Sequence, residues 1–342
     1  MNMKNEEKSS VIETKNKRSE EKSKNPFSVL YAKIMSGGTK GLEYAILSDT
    51  ECAISGGRCL TTDIVIPRYM EGYKVTEIAY EAFADKIGLT SVKLHGGIKK
   101  IGTKAFCKCT GLKEIVIPEG VEEIGESAFS GSETNVWDIM EAERLELPKS
   151  LGVIGRKAFY KCGKIKDLNI PEGVKEIGEE AFGHCTWLEN ISFPESLEVI
   201  GEGAFSLCMC LVHAELPKNL RVFGHGAFRL CEGLLTVKIP GSVESIGRTA
   251  FYMCKNLKSA EIAFGVKKID SYAFHGCKNL AEITIPESVA EIGESAFGEC
   301  ERLKTIRFGG SIGDWTKIKK AANWNTHANM YKVECIDGTQ AY

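Results

Sequence analysis

The sequence predicts an α/β-type repeat solenoid, strand-rich, of about ten 23-residue coils with N- and C-terminal caps. Three observations predict it. An Ala-Phe pair recurs at Phe83, Phe106, Phe129, Phe159, Phe182, Phe205, Phe228, Phe251, Phe274 and Phe297, and eight of the nine gaps are 23 residues. Around each pair the apolar positions repeat while the polar ones vary, as in Val174, Ile177, Ala181, Phe182, Cys185, Leu188 and Ile191. Cysteine stands three residues after the phenylalanine in eight coils, at Cys109, Cys162, Cys185, Cys208, Cys231, Cys254, Cys277 and Cys300. One unit cannot bury its own apolar face, so neighbours must stack, at roughly 4.8 Å per coil and roughly 50 Å in all.

Each unit ends in an alternating stretch such as Ile115-Val116-Ile117 or Ile283-Thr284-Ile285, the pattern of a short strand with one buried face. A proline usually follows and stops it. The Val-x-x-Ile-Gly phrase reads as a second extended segment whose glycine permits a turn. Asp270 holds that place in one coil and tolerates a left-handed backbone. The one long gap, Phe129 to Phe159, is 30 residues, so seven extra residues lie within 131–142.

A solenoid needs covered ends. At the front, Leu42, Tyr44 and Ile46 alternate, Ser48-Asp49 can turn, and Cys52 and Ile54 resume, which predicts a hairpin cap over 26–63. Residues 1–25 lack apolar periodicity and read as a charged, disordered tail. The solenoid proper spans 64–308 and a cap 309–342, where 314–322 reads as a short amphipathic helix with Trp315 and Ile318 over the last coil.

The phrases IPEGVEEIGESAF, IPEGVKEIGEEAFGHC, IPGSVESIGRTAFYMC and IPESVAEIGESAFGEC, repeated at this period over about 64–308, resemble the BspA-like branch of the leucine-rich-repeat family. The resemblance implies the leucine-rich-repeat fold, a right-handed superhelix, with a strand-lined concave face. It is specific for the scaffold and says little about a partner.

A net charge of −2 gives no basic footprint for nucleic acid or an anionic surface, and no stretch reaches the roughly 18 apolar residues of a membrane span. The N-terminus has no apolar export signal, and the unpaired thiols suit a reducing compartment, so a cytoplasmic location is expected; a cell surface, reached non-classically, is the alternative. The cysteine ladder reads as small buried thiols, since parallel Cβ vectors on stacked coils disfavour disulfides. Cys52 and Cys59 remain open as a pair. Neither Cys107-x-Cys109 nor Cys208-x-Cys210 has a second pair at zinc spacing. No phosphate loop, HExxH or GxSxG occurs, and His184 and His275 fall in the variable loops of coils separated by three others, so neither an enzyme nor a cofactor is expected.

What remains is a protein or other macromolecule bound on the scaffold. One candidate is the polar strand face, which carries Arg144, Glu146, Asp167, Asn169, Asn190, His213, Glu215, Lys238 and Glu261. The other is the inserted loop, where Trp137, Ile139 and Met140 either meet a partner or fold back over the core. An adhesin-like surface protein, implied by the family, and an enzyme with a site assembled from dispersed loops are the alternatives.

Overall fold

A computed structural model describes residues 38–132, 135, 139–326 and 330–342. The tail 1–25 lies outside these residues, as do the positions up to 37.

Two parallel strand ladders follow the coil stack, each broken into shorter sheets: the first between Lys93 and Glu114 and between Glu146 and Asp167, the second between Phe223 and Ser245. The first joins short strands such as Asp167–Asn169, Asn190–Ser192 and His213–Glu215; the second joins two-residue strands such as Glu176–Ile177 and Val199–Ile200. Registers advance one coil at a time, Glu176 facing Val199 and Thr236 facing Ser259. The alternation read from the sequence is the burial pattern: Leu168 points inward between exposed Asp167 and Asn169.

Ten phenylalanines form the spine. Successive rings lie 5.1–5.8 Å apart and within 15° of parallel, from Phe83 to Phe297. Each ring is buried, and an offset stack contributes about 0.5–1.5 kcal/mol per pair beyond its area. The stack passes the long coil unbroken, with Phe129 and Phe159 at 5.6 Å and 3°. The extra residues of this coil therefore leave the ring stack intact.

The turn around each phenylalanine sends its amides forward: in one coil Lys157, Phe159 and Lys161 donate to Glu179, Ala181 and Gly183 of the next, each at 2.8 Å. To aim them so, the backbone is left-handed two residues before every ladder phenylalanine and two residues after nine of the ten. Most of these positions are not glycine; Lys157 (φ 52°) and Lys161 (φ 59°) are examples. This corrects the role expected of the glycine in Ile-Gly. Gly224 does not have a positive φ; its β-carbon would come within 2.4 Å of the Gly201 carbonyl carbon, so the residue permits close approach between coils. Asp270 likewise is not left-handed, and its Oδ1 accepts the Ser271 N–H at 2.8 Å.

At the front, Leu42–Ile46 and Glu51–Gly57 form an antiparallel hairpin whose second strand runs parallel to Tyr73–Ile78. At the back both ladders continue past Phe308, through Lys319–Lys320 and Lys332–Cys335. The helix expected over 314–322 is shorter, Ile312–Lys317, opened by a capping box between Ser311 and Asp314. It stops because Lys319 and Lys320 are taken as a strand beside Glu291 and Ile292. Trp324 then occupies the next ladder place, accepting the Phe297 N–H at its carbonyl (2.8 Å) and meeting the Phe297 ring edge-on.

All thirteen cysteines are unpaired, Cys52 and Cys59 included, and nine are buried.

Candidate functional site

In the first ladder the residue leading into a strand donates its N–H to the matching residue one coil back. Glu143 donates to Lys113 (3.0 Å), Glu189 to Lys166 (2.8 Å), Val212 to Glu189 (3.1 Å) and Lys258 to Leu235 (2.8 Å). Between Glu143 and Lys166 this rung is absent, and Arg144–Glu146 does not pair with Asp167–Asn169. Ser91–Lys93 and Glu114–Val116 also fail to pair as strands, yet there the Lys113 N–H still reaches the Thr90 carbonyl (3.2 Å).

The seam falls directly after the long coil, and the end of the insertion explains it. Met140 is fully buried and its N–H donates to the Lys161 carbonyl of the following coil at 2.9 Å. Ile139 packs on Gly163 so closely that a β-carbon there would lie 3.1 Å from its Cδ1. The Lys161 ammonium, buried, donates to the Ser132 carbonyl at 2.5 Å and to the Asn135 carbonyl at 3.1 Å. Glu141 then receives Lys164 (2.5 Å) and Lys113 (3.6 Å), and the hydrogen bond from Lys164 holds its carboxyl below the usual range. The described end of the insertion, Ile139 to Ala142, is thus tied to the following coil outside the phenylalanine stack.

A groove of about 660 Å³ lies at this seam. Glu143, Arg144, Leu145 and Glu146 line it from one coil, Lys164, Lys166 and Asp167 from the next, and Trp187, 52% exposed, lines it from the coil after. Several charges on the banks are paired: Arg144 bridges Glu146 and Glu114 (3.2 Å to the latter), Lys166 meets Glu189 at 3.2 Å, and Asp167 accepts from Asn190 at 2.8 Å. The hydrogen bond to Glu146 is the main reason the Arg144 cation is stabilised further. Such a site offers a large aromatic face within a rim of ordered, mixed charge, the arrangement in which interface hot spots occur.

Of the residues expected from the sequence, the structure gathers Arg144, Glu146 and Asp167 here. Asn169 and Asn190 continue the face beside it, Asn169 accepting from Ser192 at 2.6 Å. His213, Glu215, Lys238 and Glu261 lie on later coils, the last two joined at 3.5 Å, and line no part of the groove. Trp137 lies outside the described residues. For Met140 the loop's second alternative holds: it has no surface to offer a partner and belongs to the core, while Ile139 is half-buried over Gly163.

Trp187, Lys164 and Lys166 were missed by reading the strand face alone. A signal existed: Trp187 stands five residues after Phe182, and the same place in the other regular coils holds Gly88, Gly111, Lys164, Cys210, Gly233, Asn256, Asn279 and Arg302. It is the only large apolar side chain in that column.

The family described as BspA type leucine rich repeat region matches the chain in three overlapping stretches, 76–208, 135–258 and 200–329. Among solved structures, the pneumococcal vaccine antigen PcpA is 21% identical with a TM-score of 0.51, over 79% of this chain and 80% of that one, and shares the fold. A leucine-rich cell surface protein of Faecalibacterium prausnitzii is 23% identical (TM-score 0.43; 83% and 97% of the two chains). The leucine-rich-repeat protein of T. pallidum is 26% identical (TM-score 0.35; 77% and 88%). No curated protein matches the chain.

Proposed function

The chain belongs to the BspA-type leucine-rich-repeat family, and from that premise we propose that it is a non-enzymatic scaffold that binds a protein partner in the groove beside its insertion. The observation that carries this reading is the parted sheet: where the rung between Glu143 and Lys166 is absent, the groove opens beside exposed Trp187. The rest of the strand face is polar, and some of its charges are satisfied from coil to coil, as Lys238 is by Glu261. Burying Trp187 in a partner supplies apolar area, and the fixed forks and carboxylates of Arg144 and Asp167 supply register.

The reading also places the protein in a reducing compartment, in keeping with thirteen unpaired thiols. Affinity capture from the source organism with the intact chain, with Trp187→Ala and with Glu215→Ala tests the site. A partner retained by the wild type and by Glu215→Ala but lost from Trp187→Ala is the expected result. The same set of proteins on all three would remove the groove as the binding site.

A further inference from the structure

A second, chemically different surface lies on the turn side of the solenoid, around Phe228, Phe251 and Phe274. The Arg229 guanidinium sits 6.0 Å from the centre of the Tyr252 ring, and that of Arg248 sits 5.6 Å from the centre of Tyr272. Tyr252 in turn stacks on His275 at 5.3 Å and 8°, and Tyr272 meets the same imidazole edge-on at 5.5 Å. His225 accepts the Arg248 N–H at Nδ1 (2.9 Å), which ties the two coils together. Both arginines are exposed. Arg229 lies across Gly226, whose β-carbon would come 3.6 Å from the arginine's own Cβ and 3.4 Å from Thr249 Oγ1.

The charges here are unlike those of the groove. Arg144, Arg156, Arg221 and Arg307 each meet a glutamate of a neighbouring coil. Among the described residues Arg229 and Arg248 meet no carboxylate. A guanidinium laid on a tyrosine has its face desolvated by the ring and its orientation fixed, while the edge that carries its N–H donors stays open to an acceptor in its plane. Carboxylates bind such an edge with two parallel hydrogen bonds.

We propose that Arg229 and Arg248, held over Tyr252 and Tyr272, form a docking surface for an acidic polypeptide segment, separate from the groove at Trp187. The extent of the surface favours a short run of Glu or Asp side chains. Glu202 stands at the His225 place one coil earlier, and on the other side Glu294 accepts the Tyr272 hydroxyl at 3.1 Å and Glu299 lies 3.9 Å from His275. The cationic stretch is therefore about two coils, roughly 10 Å. Three residues of an extended peptide span that length, whereas a nucleic-acid backbone following the turn edge would run onto the glutamates.

The test uses the full chain and an oligoglutamate peptide of about eight residues, with an oligolysine peptide and a single-stranded DNA oligonucleotide of matching charge. Titration is followed at the Nε–Hε resonances of Arg229 and Arg248 and by affinity at two salt concentrations. The glutamate peptide should shift both resonances, bind more weakly at high salt, and lose about tenfold in affinity in Arg229→Gln/Arg248→Gln. Trp187→Ala should bind it unchanged, which separates this surface from the groove. Unmoved resonances at low salt, equal affinity in the double variant, or tighter binding of the oligonucleotide would each overturn the proposal.

Discussion

The thiol of Cys185 donates to the carbonyl oxygen of Phe159, one coil back and 3.4 Å away. That oxygen already accepts the Cys162 N–H at 3.1 Å, so the thiol fills its second lone pair. The same bond recurs at Cys109 to Phe83, Cys208 to Phe182, Cys231 to Phe205, Cys254 to Phe228, Cys277 to Phe251 and Cys300 to Phe274, and across the insertion at Cys162 to Phe129. The cysteine ladder is a hydrogen-bonding element as well as a packing one. It works only while each sulfur keeps its proton.

That requirement predicts alkaline instability. Burial pushes the ladder thiols up, Cys109 and Cys300 to about 12, against about 8.5 for a cysteine in an unfolded chain. A group whose native pKa is raised contributes its full stability below the unfolded value and loses it as pH rises toward the native one. Stability should therefore be flat up to about pH 8 and then fall, by about 1.4 kcal/mol per pH unit for each buried thiol that ionises only on unfolding. Denaturant titrations between pH 7 and 11 measure the slope, and Cys300→Ala should make it shallower. A pH-independent stability up to 11 would contradict the assignment.

The seam makes a prediction at a single amide. Among the described residues the Lys166 N–H has no backbone acceptor, while the equivalent N–H groups of Glu189 and Lys258 are bonded at 2.8 Å. In native-state hydrogen exchange Lys166 should exchange at least about a hundredfold faster than those two. Equal protection would mean that the rung forms in solution and the groove is closed.

The period of 23, the buried faces and the phenylalanine spine are legible because each coil repeats the same apolar solution to one packing problem. The seam is not. An insertion length shows that a coil bulges, but only the hydrogen bond from Met140 to Lys161 shows that the bulge wedges forward and parts the sheet. The left-handed turn positions are hidden for another reason: Lys104, Leu207 and Tyr272 have no preference for that backbone, and the inter-coil amide bonds impose it. Arg144 and Asp167 were legible as surface residues, but Trp187 became a candidate only once the groove's lining was known.

The imposed backbone can be relieved. Lys104 (φ 57°) is held left-handed by its N–H bond to Glu126 (2.8 Å), and among the described residues its side chain makes only an exposed ion pair with Glu81 at 3.7 Å. A left-handed residue with a β-carbon costs about 1–2 kcal/mol, and glycine returns about 0.5–1 kcal/mol of that through the entropy of the unfolded chain. Lys104→Gly should thus stabilise by about 0.5–1 kcal/mol in chemical denaturation, and Lys104→Ala, which keeps the β-carbon, should not. A destabilised glycine variant would show that the turn is unstrained.

Lys161 tests the wedge itself. Its ammonium is buried and meets the carbonyls of Ser132 and Asn135, so it satisfies backbone acceptors that the extra residues remove from the regular coil pattern. Lys161→Met keeps the length and apolar stem but leaves those carbonyls without that donor, at a cost of about 1–3 kcal/mol. The loss should be local, because the phenylalanine stack does not depend on the loop: protease cutting within 131–142 should accelerate while the amides of Phe159 and Phe182 stay protected. Restoring the 23-residue gap by deleting the seven extra residues should have the opposite effect at the seam, slowing exchange at Lys166 to the rate of Glu189. If Lys166 stayed fast in the deletion variant, the parted sheet would have to come from the sequence of its two banks and not from the wedge.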